Sequence, residues 1–141
     1  MSGTAPALYL MNGGWVALER SFLTAGTGVG QRVLAPIPMT LVDTRDGYVL
    51  FDTGMNCNGI TDPEGTWGPR AKTIQPRLVP DDDIRVRLQQ LGIGIDEIRL
   101  VVNSHLHWDH CGGNRLFGHC PIVVQRAELA FAREPSGPVA G

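Results

Sequence analysis

Lysine is nearly absent from this sequence: Lys72 stands alone among twelve basic residues, the other eleven being arginines. The arginines are scattered, and with fourteen acidic residues they leave a formal net charge of −2 and a pI near 6.0. That balance offers no basic track for nucleic acid and no cationic face for an anionic membrane. Cysteine is scarce as well. Cys57, Cys111 and Cys120 form an odd set without a Cys-x-x-Cys pair, which excludes a disulfide framework and an all-cysteine structural metal knot. A reducing, cytoplasmic setting is the expectation. No apolar run reaches the length needed to span a bilayer. The opening segment Met1 to Pro6 lacks a basic stretch followed by an apolar one, so no signal peptide is expected.

What remains is an ordinary globular composition. The 141 residues are 43% hydrophobic and 18% charged, which suits one domain with a modest core. Leu8-Tyr9-Leu10 and Trp15 to Leu18 read as two short strands with Asn12-Gly13-Gly14 as the turn between them. A glycine-rich loop follows from Ala25 to Gly30. Pro38 to Val42 and Tyr48 to Phe51 flank Asp46-Gly47, a strong hairpin signal. The consecutive apolar residues of the second run suggest a strand buried on both faces. Residues 55 to 79 lack periodicity and read as a long loop, a feature more often functional than idle. Asp81, Asp82 and Asp83 open a helix at its positive end, with Ile84, Leu88 and Leu91 as its buried stripe and Gly92 as its stop. Ile98 to Val102 forms a buried strand. A helical turn near Gly113 to Phe117, a strand at Pro121 to Val124 and a helix from Arg126 to Arg133 complete the pattern, and Pro135 ends that helix. The ordered part is expected to run from 1 to 135, with 136–141 a frayed tail.

The chemistry concentrates in Asn103-Ser104-His105-Leu106-His107-Trp108-Asp109-His110-Cys111-Gly112-Gly113-Asn114. Three of the chain's four histidines and one aspartate fall within six residues. With this composition the chance of that arrangement is on the order of 10⁻⁶ per window. In extended backbone, residues two apart point the same way, so His105 and His107 can grip one ion together. A turn then aims Asp109 and His110 at a second ion beside it. Imidazole with carboxylate suits zinc, iron or manganese. Gly112 and Gly113 are expected to give the backbone freedom for a sharp turn behind these ligands. Trp108, inside the loop, and Trp67, in the long loop before it, are candidates for the substrate pocket, against ordinary packing roles. His119 reads as an exposed loop histidine and Cys111 as a small buried residue behind the loop. The Gly26-x-Gly28-x-Gly30 stretch lacks the flanking strand and helix of a phosphate loop.

The His-x-His-x-Asp-His loop after a buried strand resembles the metallo-β-lactamase superfamily, and Asp52-Thr53-Gly54 resembles that superfamily's first acidic motif. Ser104 to Asn114, Pro121 to Arg126 with Glu128, and Phe51 to Met55 are together similar to N-acyl-homoserine lactone lactonases. Asp62-Pro63, Gly65 and Trp67-Gly68 are similar to a loop in one branch of those enzymes. The resemblance implies an α/β fold of the αββα sandwich type, here about its N-terminal half: one mixed sheet with flanking helices. It implies two metal ions, usually zinc, with His105 and His107 on the first and Asp109 and His110 on the second. It further implies that water activated by the metals opens a lactone ring, that Asp109 passes a proton toward the leaving oxygen, and that Asp52 steadies the loop. The partners it implies are a small lactone and, as a remaining candidate, a second copy of the chain.

The sequence also departs from that pattern. The superfamily draws a further histidine for each metal and a bridging aspartate from later segments, and after His110 this chain has only His119, Glu128 and Glu134. A catalytic ion usually takes three protein ligands. The expectation is therefore a truncated lactonase, inactive or weak by itself, with one sheet face uncovered. Alternatives on the same scaffold are a pyridoxolactone-type lactonase, a glyoxalase II-like thioesterase, or a non-catalytic metal-binding module.

Overall fold

The structure, a computed structural model, describes residues 6–44 and 46–135. The expected tail at 136–141 and the opening segment 1–5 lie outside the described residues. Six strands form one mixed sheet in the order β4-β1-β2-β3-β5-β6: β1 Leu8–Glu19, β2 Arg32–Thr44, β3 Gly47–Phe51, β4 Pro76–Arg77, β5 Ile98–Val102 and β6 Ile122–Val123. The helices are α1 Pro63–Trp67, α2 Arg70–Ile74, α3 Ile84–Gln90, α4 Trp108–Cys111 and α5 Arg126–Arg133, with 3-10 turns between them.

The expected turn at Asn12-Gly13-Gly14 is instead a bulge inside one long strand. β1 pairs antiparallel with β2 on both sides of it, and the register shifts between Asn12 and Trp15. Side chains alternate along a strand, and an inserted residue reverses that phase. Tyr9 and Met11 face the core before the bulge, and Val16 and Leu18 face it afterwards. The Asn12 side chain holds the distortion by accepting from the Gly14 amide (3.2 Å) and the Ile37 amide (3.3 Å). Gly14 has φ 106°, which a residue with a Cβ rarely adopts. Sequence punctuation marked the irregularity correctly but not its kind.

The Asp46-Gly47 hairpin forms as expected, pairing Thr40 with Phe51 and Val42 with Val49. β3 then runs parallel to β5, and β5 parallel to β6. Neither β3 nor β5 is buried on both faces. Leu50, Ile98 and Val101 are fully buried, but Phe51 is 42% exposed, because the helices cover one side of the sheet. On that side Met39, Leu41, Leu50, Ile98 and Val101 pack with Ile84, Leu88 and Ile93 from α3 and its exit, and with Phe117. A second cluster joins Val16, Leu18 and Ile37 to Met55, with Trp67, Ile74, Leu78 and Trp108 against it.

Residues 55 to 79 are not a bare loop. They fold into a 3-10 turn, α1, α2 and the short edge strand β4. Asp62 caps α1 by accepting from the Gly65 amide (2.8 Å), and Pro63 sits in its first turn. Such single-turn helices are too short to show a 3.6-residue period, which is why the pattern hid them. α3 starts as expected, with Asp83 accepting from the Arg85 amide at 2.9 Å. Its stripe is Ile84 and Leu88, whereas Leu91 lies past the last turn and is exposed. Gly92 (φ 74°) ends it, with the Ile93 amide donating back to the Leu88 carbonyl. Among the described residues no helix is long and apolar enough to cross a membrane.

Candidate metal centre

The two parallel strands β3 and β5 end side by side, and the segments leaving their carboxyl ends build the site. In open α/β sheets this is where ligands bind. Asp52 leaves β3 with its amide on the Val102 carbonyl (2.9 Å), and Asn103 leaves β5 with its amide on Val123 (2.8 Å). Asp52 has φ 59°, a left-handed conformation that costs a non-glycine residue free energy. It aims the carboxylate at the neighbouring loop. Oδ1 accepts from the Ser104 amide (2.8 Å), and Oδ2 accepts from the Ser104 hydroxyl (2.7 Å) and faces His110 Nδ1 (2.8 Å). Burial pushes the Asp52 carboxyl up, but the bonds from His110 and Ser104 outweigh it and hold it below the usual range.

His105, His107, Asp109 and His110 come together in pairs. His105 Nε2 and His107 Nδ1 face each other at 3.0 Å. Ser104 gives its one hydroxyl proton to Asp52, so its oxygen accepts from His105 Nδ1 (3.0 Å). That leaves the His105 Nε2 lone pair turned toward His107. Burial, then the positive character of His110 and His107, lowers the His105 pKa and favours the neutral ring. On the other side His110 Nε2 lies 3.4 Å from Asp109 Oδ2, and the His105 and His110 rings are 4.0 Å apart. Burial opposes charge on His110, but Asp109 and Asp52 overcome it and push its pKa up to about 9. Burial raises the Asp109 carboxyl, while His110 draws it below its ordinary value.

The donor chemistry suits a divalent ion. A ligating histidine commonly gives its remote N–H to a carboxylate, and His110 does this toward Asp52 while its Nε2 faces Asp109. Among the described residues no group of three or more His, Cys, Asp or Glu side chains is arranged to hold a single ion. What the chain offers is two adjacent donor pairs.

The loop is fixed by polar groups that the motif itself did not reveal. Thr53 donates from its amide to the His110 carbonyl (2.8 Å) and from its hydroxyl to Asn114 Oδ1 (2.9 Å). Asn114 donates to Asn103 Oδ1 (2.7 Å), and Asn103 donates to the His110 carbonyl (3.3 Å). Gly112 and Gly113 do not serve conformational freedom. Their φ values are −62° and −90°, ordinary right-handed backbone. They are glycines because the Asp52–Asn56 segment lies directly against them. A Cβ on Gly112 would strike Asn56 N, and one on Gly113 would sit 2.6 Å from the Thr53 carbonyl oxygen.

The four donor residues line a cavity of about 450 Å³ whose other wall is Val16, Leu18, Phe22, Leu23, Ile74 and Trp108. Trp67 does not line it. It stands behind Trp108, ring centres 5.0 Å apart, and its ring covers Gly59. His119 is remote and exposed, with Nε2 donating to the Ile98 carbonyl (3.2 Å). Cys111 is half-buried and its thiol points to the Leu106 carbonyl at 3.4 Å.

A mixed sheet with helices on one face and a histidine–aspartate loop at its strand ends defines a metallohydrolase class. Residues 33–140 match the signature of the metallo-beta-lactamase superfamily, and the chain belongs to that superfamily. Within it, the chain is similar to the N-acyl homoserine lactonase of Bacillus cereus, at 32% identity over 133 residues. The match covers 92% of this chain and 52% of the relative. N-acyl homoserine lactonase AttM of Rhizobium johnstonii is 33% identical over 91% of this chain and 49% of its own length. A solved N-acyl homoserine lactone hydrolase, with the product N-hexanoyl-L-homoserine bound at its catalytic metal centre, superposes with a TM-score of 0.80 at 31% identity. That superposition covers 92% of this chain and 52% of the hydrolase. The chain thus spans about half the length of the curated relatives it matches.

Proposed function

We propose that these residues form part of a metal-dependent hydrolase that opens the lactone ring of N-acyl homoserine lactones, and so quenches quorum signals. The observation that carries the reading is the cavity itself. Its polar end is the two donor pairs and its other wall is apolar, which matches a polar lactone head joined to a hydrocarbon tail. Similarity to lactonases at about one-third identity supports the same substrate class.

In this reading His105 and His107 hold one zinc ion, and Asp109 and His110 hold a second. When bound, such ions polarise a carbonyl and make water nucleophilic at neutral pH. Asp52 keeps the His110 ring turned so that Nε2 is available. Val16, Leu18, Phe22, Leu23 and Ile74 take the acyl chain and exclude water, with Trp108 on the cavity wall beside the ligands. Asp109 carries a proton to the ring oxygen as the acyl–oxygen bond breaks and water supplies the new carboxylate. Each donor pair gives two ligands where a catalytic ion takes about three, so the activity belongs to an enzyme that adds further donors to these. The three cysteines are free thiols, which suits a reducing cytoplasm as the working compartment. A small lactone is the partner this reading requires, and a second copy of the chain is a further candidate partner.

The test is zinc uptake by the purified chain, followed by calorimetry, beside ring opening of N-hexanoyl homoserine lactone and cleavage of a glutathione thioester by an enzyme that joins this chain to segments supplying the further donors. Zinc bound by the native chain and lost in His107→Ala and His110→Ala, with lactone preferred over thioester, is the expected result. No zinc uptake, or a thioester preference, would sink the reading; the second result would favour a glyoxalase II-like enzyme.

A further inference from the structure

The segment from Asn103 to His107 has no regular secondary structure. Individual bonds to its backbone therefore decide where its imidazoles point. Three of its amides are pinned. Asn103 is held by the Val123 carbonyl (2.8 Å), Ser104 by Asp52 Oδ1 (2.8 Å) and Leu106 by Glu128 Oε1 (2.9 Å). The first two pins come from β6 and from the end of β3. The third reaches across from α5. Leu106 sits between the two histidines whose nitrogens face each other at 3.0 Å, and its carbonyl is itself met by the Cys111 thiol. Fixing that amide fixes the peptide joining His105 to Leu106, and with it the relative aim of both rings.

We infer that Glu128 is a positioning residue for the His105–His107 pair, acting through the Leu106 amide. The inference rests on the reading of that pair as metal ligands. A second observation bears on it. α5 has no buried residue; Glu128 is its least exposed one, and Leu129 and Phe131 are 38% and 37% exposed. With no residue of the helix buried, a charge-assisted bond to a loop amide seats it together with the partial cover of Leu129 and Phe131. The coupling runs both ways: the helix aims the loop, and the loop docks the helix. What the bond requires is an acceptor oxygen at that reach, not a charge as such. Glutamine keeps the reach and the acceptor; aspartate is one methylene short; alanine has neither.

The experiment uses the full chain carrying Glu128→Gln, Glu128→Asp or Glu128→Ala. Amide hydrogen exchange at Leu106 is read by NMR without metal, and zinc affinity by calorimetry. In Glu128→Ala and Glu128→Asp the Leu106 amide should exchange about tenfold faster or more, with zinc affinity weakened several-fold. Glu128→Gln should restore both. Circular dichroism of each variant separates this local change from unfolding, since no residue of α5 belongs to the buried core. Unchanged exchange in Glu128→Ala, or Glu128→Gln behaving like Glu128→Ala, overturns the proposal. If the native chain takes up no zinc, the metal reading of the site falls, and exchange at Leu106 still decides whether Glu128 braces the loop.

Discussion

At the scale of single residues, Asp52 does the most. It is 7% exposed, sits at φ 59°, and answers an amide, a hydroxyl and an imidazole at once. Asparagine tolerates the same backbone conformation but turns an amide N–H₂ toward groups that need an acceptor. Asp52→Asn should therefore lose about 2 kcal/mol or more of stability, read by urea unfolding. An unchanged midpoint would show that the carboxylate does not hold the loop. Gly112 gives a test with opposing signs. Its helical φ would let alanine gain up to about 1 kcal/mol in intrinsic propensity. The Cβ would instead meet Asn56 N and lie 2.6 Å from Met55 C, so Gly112→Ala should cost about 1–3 kcal/mol. A raised melting temperature would refute the close-packing account.

At the scale of elements, the start of α3 shows how a helix terminus ties to its surroundings. Asp83 caps the helix through the Arg85 amide and also pairs with the Arg85 guanidinium. Burial raises its carboxyl, yet the Arg85 contacts pull it below its ordinary value of 3.8. A depressed carboxyl contributes stability that is complete above pH 3.8 and is lost as pH falls through the lower folded value. Asp83→Ala should cost about 1 kcal/mol near neutral pH. The difference between variant and native chain should shrink as pH is taken below 3.8. Denaturant unfolding at pH 7 and pH 3 checks both statements, and a gap that widens in acid would contradict them. The bulge in β1 belongs to this scale too. It keeps Tyr9, Met11, Val16 and Leu18 on one face although their numbers change parity.

At the scale of the whole molecule, the sheet has one covered face and, among the described residues, one bare face. Register pairs Leu8 with Val42, Leu10 with Thr40, Thr40 with Phe51, Phe51 with Val102 and Val102 with Val123. Paired residues share a face, so these side chains form one continuous, mostly apolar stripe across five strands. Leu8 is 61% exposed, Leu10 79% and Val123 44%. Contiguous apolar surface of this kind binds other apolar surface. The chain as described should therefore bind the dye anilinonaphthalene sulfonate and self-associate with rising concentration. Leu10→Lys with Phe51→Lys should reduce both, as read by fluorescence and sedimentation. Native chain that stays dye-free and monomeric at high concentration would show the stripe to be covered.

The sequence alone determined the local chemistry. Four donors in six residues, an Asp-Gly hairpin and the aspartates ahead of Ile84 each act through near neighbours, so spacing suffices to read them. It also carried the superfamily, through motifs whose residues are adjacent in the chain. Tertiary structure decided what depends on distant segments meeting. The Asn12-Gly13-Gly14 irregularity became a bulge because β2 pairs on both sides of it. Gly112 and Gly113 are glycines because a segment nearly sixty residues away lies against them. Trp108 lines the cavity while Trp67 only backs it, and Glu128 reaches the loop from another helix. Such contacts leave no period or spacing in a single chain, because packing fixes them between residues that the sequence holds far apart.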